Sequence, residues 1–260
     1  MREILSDLVA EEQQLDQFLQ SLSTREWKWE TPGIGWTIQD QVSYLAYVEN
    51  FAAEVIAEGE SRIKAEKIKD IDEWFSRGPA EGTGQRHQEV IEWWRHGRAD
   101  VVDALSRMLA TDRIPWIYGD MSAKSFATMR LMETWAHGLD IKVAILERIT
   151  PLPEDELEED EEDPLADTVR LRHIAWLGHK SLQFAFEEAG ETFPKEGIRV
   201  ELMGPKYAAW RFGPEDTDQV IRGMAGDWCR IVVQRQNASQ TGLKAVGESA
   251  ERALEIVRVD

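Results

Sequence analysis

The sequence predicts an all-α four-helix bundle followed by a small α+β domain. Three observations support this prediction. Hydrophobic residues repeat at helical spacing through the first half of the chain, an almost purely acidic stretch follows, and strand-like alternation appears only after that stretch. A chain of 260 residues can form one large domain or two small ones with a core each. We therefore expect domains at 1–149 and 164–260, joined by a linker at 150–163.

The first two helices are marked by apolar spacing and by a helix-start signal. Apolar side chains from Leu5 to Leu22 recur three or four residues apart, which is typical of one buried helix face. After a loop, Thr37 and Asp40 show the pattern of a capping box, in which each residue bonds the backbone of the other. The second helix is expected to begin there and to continue to about Ile56.

Two more long helices and a crossover complete the predicted bundle. Apolar residues at helical intervals predict a third helix from about Gln85 to Leu109 and a fourth from about Ser122 to Arg148. A shorter helix is expected in the crossover, between Ile63 and Phe75. Four long helices with a middle crossover and no convincing strand favour a four-helix bundle.

An acidic segment separates the two halves of the chain. Nine of the ten residues 154–163 are Asp or Glu, and they supply −9 of the net charge of −19. Like charges at this density repel one another and bury no apolar surface, so a solvated linker is expected. The alternative is a strip that binds cations or docks on a partner.

The remaining part of the chain mixes helix and strand patterns. Two segments of helical spacing enclose a strand-like alternation, and a Gly-Pro turn follows that alternation, so a hairpin is predicted. The predicted elements are a helix at 168–188, strands at 198–203 and 207–212, a strand or buried helix at 228–233, and a terminal helix at 248–257.

Composition disfavours several kinds of partner. There are 30 Lys and Arg against 49 Asp and Glu, and nucleic acids and anionic lipids both require local positive charge. The single cysteine, Cys229, excludes an intrachain disulfide and a multi-thiolate metal site. No apolar run is long enough to span a membrane, and the N-terminus has no signal-peptide core. We expect a cytoplasmic monomer or homodimer that acts on a small molecule.

One polar constellation stands out on the fourth predicted helix. At about 100° per residue, Glu133, His137 and Asp140 share one stripe of the helix surface. Titratable groups on an inward face need partners or a ligand. Glu and His at positions i and i+4 can hold one metal ion, or one can bond the other. The alternative is a buried Glu–His pair that serves only the core.

Several stretches of the chain resemble one known family. They are residues 35–42, 93–94, 114–116 and above all 125–138 in the first half, and residues 200–202, 210–216 and 232–235 in the second. The chain resembles the actinobacterial family related to mycothiol-dependent maleylpyruvate isomerase, within the DinB-like metalloenzyme superfamily. The resemblance implies a DinB-like bundle with a divalent metal, usually zinc, and a sterol-carrier-like C-terminal domain.

The resemblance also implies which side chains hold the metal. The family uses a histidine early in the second helix together with a Glu and a His one turn apart in the fourth. Glu133 and His137 match the latter two residues. Tyr44 stands where the family has its first histidine, because Asp-Gln-Val-Ser-Tyr here replaces Asp-Gln-x-x-His. A phenol with a pKa of about 10 is a poor zinc ligand at neutral pH unless the metal displaces its proton.

Three interpretations of this site stay open. In the first, a metal remains on Glu133 and His137, assisted by Tyr44 or Asp140 and by water. In the second the metal is gone, Tyr44 donates a proton, His137 is the general acid/base, and Glu133 or Asp140 orients it. In the third, the protein binds a small molecule in the same pocket but catalyses no reaction. For an enzyme, the resemblance implies transfer, addition or isomerisation that uses a low-molecular-weight thiol such as mycothiol, and a repurposed site makes a biosynthetic role plausible.

The substrate pocket is expected to use aromatic residues near helix ends. Trp36, Trp116 and Tyr118 are the candidates, with core packing as the alternative for each. In the second domain, Arg230 and Arg235 are candidates for binding a substrate carboxylate, and the alternative for both is a place on the surface.

Overall fold

A helical unit, Met1–Leu165, precedes an α+β unit, Ala166–Asp260. The structure is a computed structural model that describes residues 1–33, 35–148 and 163–259. The predicted fold class is confirmed at this level. The predicted linker at 150–163 lies outside the described residues except for its last one, so its solvation stays a prediction.

In the described part of the first unit, four helices have 20 residues or more. They are α1 (Arg2–Ser21), α2 (Ile38–Glu58), α6 (His87–Ser106) and α7 (Ala123–Leu146). Helix α2 packs against α6 and α7, and α1 packs against the same two helices. The side chains between these helices are almost fully buried, among them Leu8, Leu15, Val42, Leu45, Val101, Phe126 and Ile141. The observed bounds of the four long helices lie within about three residues of the predicted bounds.

Reciprocal hydrogen bonds between two residues define the start of α2. The Thr37 hydroxyl accepts a bond from the backbone N–H of Asp40 at 3.3 Å, and the Asp40 carboxylate accepts one from the backbone N–H of Thr37 at 2.9 Å. This is the predicted capping box. It fixes the first turn of the helix and therefore the direction of Gln41 and Tyr44, which follow directly.

The crossover contains three short helices where one was expected. They are α3 (Glu60–Glu66), α4 (Ile71–Phe75) and α5 (Arg77–Gly82). Gly59 and Lys67 take positive φ angles of 68° and 53°, which end one helix and redirect the chain into the next. These turns divide the crossover into helices of only five to seven residues, which are too short for the spacing of apolar residues to indicate where one ends and the next begins.

A short strand pair, for which the sequence shows no convincing pattern, precedes the acidic segment. Strands β1 (Arg113–Ile114) and β2 (Met121–Ser122) form a small antiparallel pair just before α7. Two residues per strand are too few for a period-2 pattern to show in the sequence.

Gly97 lies where α6 approaches α2 closely. A Cβ atom added there would lie 2.8 Å from the backbone nitrogen of Asn50, so neither helix can make room by moving a side chain alone. Overpacking of this kind costs about 1–3 kcal/mol, and we expect Gly97→Ala to destabilise the protein by that amount.

Gly138 in α7 provides a matched control for this prediction. An added Cβ there would meet Leu15 at an ordinary contact distance of 3.5 Å. Alanine is favoured over glycine inside a helix by about 1 kcal/mol, so Gly138→Ala should be neutral or stabilising. Urea denaturation measures both effects. Equal effects of the two substitutions would contradict the close approach at Gly97.

The second unit is a four-stranded mixed sheet with three helices. The strands are β3 (Arg199–Met203), β4 (Ala209–Phe212), β5 (Val220–Met224) and β6 (Lys244–Val246), in the spatial order β4-β3-β5-β6. The pair β3–β4 is antiparallel, β3–β5 is parallel and β5–β6 is antiparallel. Helices α8 (Leu171–Glu188), α9 (Ala225–Val232) and α10 (Glu248–Ile256) pack against the sheet.

The predicted hairpin is confirmed, with one correction. Tyr207 was expected in the second strand, but it belongs to a 3-10 turn at Pro205–Tyr207, and the strand begins at Ala209. The ambiguous segment 228–233 forms a buried helix, apart from its last residue. Strands β5 and β6 were not predicted. Among the described residues, no helix has the length and hydropathy needed to cross a membrane.

Candidate functional site

Tyr44, Glu133 and His137 meet at one carboxylate oxygen. Oη of Tyr44 donates to Oε2 of Glu133 at 3.2 Å, and Nε2 of His137 lies 3.3 Å from the same oxygen. The rings of Tyr44 and His137 are 4.5 Å apart between centroids. The structure thus brings together three of the four predicted catalytic residues, across 89 positions of sequence between α2 and α7.

A second hydrogen bond fixes the orientation of the His137 ring. Its Nδ1 contacts Oε1 of Gln41, whose Nε2 donates in turn to the Thr31 hydroxyl at 2.7 Å. Because the amide nitrogen of Gln41 is engaged by Thr31, its oxygen faces the ring and Nδ1 carries the proton. Nε2 is therefore the ring atom that faces Glu133 and Tyr44. Gln41 was not predicted, although it lies one turn before Tyr44 on the same helix face.

Electrostatics set the charge of two of the three groups. Burial acts to raise the pKa of Glu133, but the hydrogen bond and charge of His137 and the charge of Arg130 outweigh it, and the pKa falls to about 2. Burial, followed by the neighbouring Glu133 carboxylate, raises the pKa of Tyr44 well above its usual value near 10. At neutral pH the carboxylate is therefore ionised and the phenol keeps its proton.

Aromatic rings surround the three polar groups. Trp36 lies 5.3 Å from the Tyr44 ring and 6.2 Å from the His137 ring, between centroids. Phe75, which was not predicted, contacts Tyr44 edge-on at 5.6 Å. Apolar neighbours lower the local polarity, which strengthens the hydrogen bonds at Glu133.

The other predicted site residues of the first unit differ in their exposure to solvent. Trp116 is buried against Phe126, and the Arg130 guanidinium stacks on its ring at 5.1 Å. Tyr118 is 45 % exposed and close enough to Tyr44 to act on its pKa. Asp140 is 2 % exposed on α7. The pocket roles of Trp36, Trp116 and Tyr118, and the orienting role of Asp140, stay predictions.

The two candidate arginines lie in the second unit. Arg230 forms an ion pair with Asp167 at 2.9 Å, which occupies part of its guanidinium. Nη1 of Arg235 donates to the backbone oxygen of Val233 at 2.8 Å. Substrate binding by Arg235 stays a prediction.

The side chains at Tyr44 do not fit the three-ligand zinc site that the resemblance implies. Glu133 and His137 offer two suitable ligand atoms, but the third position belongs to a phenol that donates a hydrogen bond to Glu133 and whose pKa is raised. A phenol that keeps its proton is not a zinc ligand. Within residues 1–33, 35–148 and 163–259, no group of three His, Cys, Asp or Glu side chains is placed to hold a metal ion.

A buried ion pair lies behind the site. Arg130 and Glu49 are 2 % and 1 % exposed, and their closest nitrogen and oxygen atoms are 3.7 Å apart, which is too long for a hydrogen bond. Both Glu49 carboxylate oxygens lack a hydrogen-bond partner in the described part of the chain. Burial raises the pKa of Glu49 to about 7, against the lowering effect of Arg130. No sequence pattern indicates this pair, because a single charged residue is normally expected on the surface.

Glu49→Gln is expected to stabilise the protein above pH 7. The folded pKa lies above the ordinary value of 4.5, so the folded state retains a proton that the unfolded chain releases. Stability therefore falls as the pH rises through the window from 4.5 to 7, by about 3 kcal/mol at most. Glutamine keeps the shape and an acceptor oxygen for Arg130 but does not titrate. Unfolding by urea between pH 5 and 8 measures the difference, with the exposed Glu81→Gln as control. An unchanged pH dependence in Glu49→Gln would contradict the assignment.

Comparisons with known proteins agree with these observations. Residues 8–142 match the family described as mycothiol maleylpyruvate isomerase N-terminal domain. Uncharacterised proteins from two strains of Mycobacterium tuberculosis are each 33% identical to this chain over 256 residues, covering 98% of this chain and 93% of the relative. Crystal structures of the mycothiol-dependent maleylpyruvate isomerase and of a mutant of it match with a TM-score of 0.57, at 15% identity, over 94% of this chain and 92% of theirs. At that identity, the structural match shows a shared fold.

Proposed function

The chain belongs to the mycothiol maleylpyruvate isomerase family, and on that premise we propose that it is an isomerase-like enzyme that uses a low-molecular-weight thiol. Its substrate is a small organic acid with a double bond conjugated to a carbonyl group. The observation that carries the proposal is the meeting of Tyr44 and His137 at one oxygen of Glu133. An acid, a base and an orienting carboxylate within hydrogen-bond reach are what proton transfer to and from a substrate requires.

The proposed reaction begins with addition of the thiol. The step starts from the neutral form of His137, which carries its proton on Nδ1. Nε2 of this form takes the proton of the thiol, and the sulfur forms a bond to the carbon at the end of the conjugated system. The electron pair of the double bond moves toward the carbonyl oxygen, where the Tyr44 hydroxyl donates a hydrogen bond. Glu133 stabilises the positive charge that forms on His137.

The reaction ends with loss of the same thiol. The former double bond is a single bond in the adduct, so the carbon chain can rotate about it. The electron pair then returns from the oxygen, the carbon–sulfur bond breaks, and His137 gives its proton back to the departing thiolate. The thiol is regenerated and no redox change occurs. Gln41 holds the imidazole in the tautomer that this cycle needs.

We propose that this cycle proceeds on side chains alone, with no step assigned to a metal. Support comes from the donor set, since Tyr44 occupies the place of a third ligand and keeps its proton. A repurposed site of this kind is compatible with a biosynthetic as well as a degradative pathway.

The experiment that tests the function is an isomerisation assay with and without mycothiol. Maleylpyruvate is the first substrate to try, followed by other conjugated 2-oxo acids, with product geometry followed by ultraviolet absorbance and NMR. We expect turnover only in the presence of the thiol, with no net consumption of it. Turnover that needs no thiol, or an absence of turnover across the whole series, would contradict the proposed function.

A further inference from the structure

A groove on the second unit is lined by none of the residues assigned to the proposed reaction. It has a volume of about 360 Å³ and is formed by strands β3, β4 and β5 together with the turn between β3 and β4. This volume falls within the range of about 300–1,000 Å³ that is typical of small-molecule sites. Its walls include Met203, Tyr207, Trp210, Arg211, Arg222 and Met224.

The apolar walls of the groove are unusually exposed. Met203 and Met224 are each 48 % exposed, and Tyr207 is 89 % exposed. Large apolar side chains grouped on a surface in this way mark binding sites more often than isolated ones do. Their grouping follows from the pairing of Met203 with Met224 between the parallel strands β3 and β5.

Local backbone geometry holds the aromatic wall in place. Lys206 and Tyr207 have φ angles of 56° and 61°, a left-handed conformation that costs energy for residues other than glycine. Gly204 allows the Trp210 ring to lie on the backbone, since a Cβ atom there would be 2.6 Å from the ring. The turn thus presents Tyr207 beside Trp210 at the groove.

A row of positive charges crosses the sheet next to these walls. The strand register aligns Arg211, Glu201, Arg222 and Lys244, which gives three cations for one carboxylate. Glu201 is already engaged by Arg222 at 2.6 Å and by Arg199. Arg211 is not within ion-pair distance of any carboxylate in the described ranges. The hydrogen bond of Arg222 lowers the pKa of Glu201, and the charges of Arg199, Arg222 and Arg211 lower it further. In a chain with a net charge of −19, this local excess of positive charge favours an anionic ligand.

We propose that the groove binds a small aromatic carboxylate. The ring lies against Met203, Met224 and the Tyr207 side chain, and the carboxylate pairs with the Arg211 guanidinium. Aromatic and thioether side chains favour a flat apolar body, and a guanidinium matches a carboxylate with two parallel hydrogen bonds. The site requires nothing of Tyr44, Glu133 or His137.

Methionine methyl NMR on the full chain tests this proposal. The chain has 7 methionines, of which Met203 and Met224 line the groove and the others serve as internal controls. Titration with 1-naphthoate should shift the signals of these two residues saturably and leave the others in place. The uncharged analogue 1-naphthalenemethanol should bind about five- to tenfold more weakly, the effect of one charge-assisted hydrogen bond at an accessible site.

Single substitutions test which side chain binds the carboxylate of the ligand and which binds its aromatic ring. Arg211→Gln should weaken 1-naphthoate about five- to tenfold and leave the binding of the alcohol unchanged, whereas Arg258→Gln, outside the groove, should change neither. Tyr207→Ser should weaken both ligands, and its exposed side chain contributes little to folding. The proposal is overturned by equal binding of acid and alcohol, by shifts spread over all methionines, or by shifts at Met203 and Met224 that follow protein concentration without ligand. The last result would identify the face as a contact between two copies of the chain.

Discussion

Replacing His137 by glutamine is expected to lower turnover by about 10²- to 10⁴-fold, the usual contribution of a positioned general acid/base. Glutamine fills a similar volume and retains a hydrogen-bond donor toward Glu133, but it cannot take up the proton of a thiol. The loss should appear in kcat, because the substrate still finds the same aromatic walls. Steady-state kinetics with saturating thiol measure the effect.

Two controls separate this loss from misfolding. His96→Gln is the same substitution at an exposed histidine of α6, and it should leave kcat unchanged. The thermal unfolding midpoint of His137→Gln should stay within a few degrees of the parent protein, since the glutamine amide can still bond Glu133 and a single hydrogen bond contributes about 1 kcal/mol. A His137→Gln enzyme with more than a tenth of the parent kcat would remove His137 from the mechanism.

Replacing Tyr44 by histidine is expected to create a strong zinc site and to reduce the native activity. The new imidazole would replace a ring that lies 4.5 Å from the His137 ring, between centroids, on the side of His137 that faces Glu133. Because these side chains are already placed, a third ligand adds a dative bond with little ordering cost, and we expect zinc affinity to rise about a hundredfold or more. Competition with a fluorescent zinc chelator measures this rise.

The variant Tyr44→Phe isolates the hydroxyl group. It keeps the ring contacts with Trp36 and Phe75 but removes the donor, so it should lower kcat about 10- to 100-fold with little change in stability or in zinc affinity. If Tyr44→Phe turns over as fast as the parent protein, the phenol only packs. If Tyr44→His binds zinc no better than the parent protein, the three side chains do not converge as described.

Helical periodicity explains how much of this site could be predicted. It placed Glu133 and His137 on one stripe of α7, because an i, i+4 pair depends only on the geometry of a single helix. The capping box at Thr37 fixed the start of α2, and the motif around Tyr44 then identified the facing residue. The meeting of α2 and α7 at Glu133 follows from these two facts once the helices pack as neighbours.

The parts that escaped prediction depend on long-range packing. Gln41 and Phe75 act through contacts with residues far along the chain, which no local spacing reveals. The buried pair of Arg130 and Glu49 is a stronger case, since charged residues are rarely fully buried and the sequence pattern placed neither in the core. Strand β6 has three residues, too few for alternation to distinguish it from a loop.

Metal content and turnover measured on one purified sample test the central claim most directly. The claim is that Tyr44, Glu133 and His137 carry out proton transfer on side chains alone. It predicts full thiol-dependent turnover in protein that contains far less than one equivalent of zinc or any other transition metal, unchanged by chelators and by added zinc. Turnover that rises in proportion to bound metal, and disappears when a chelator removes it, would contradict the claim.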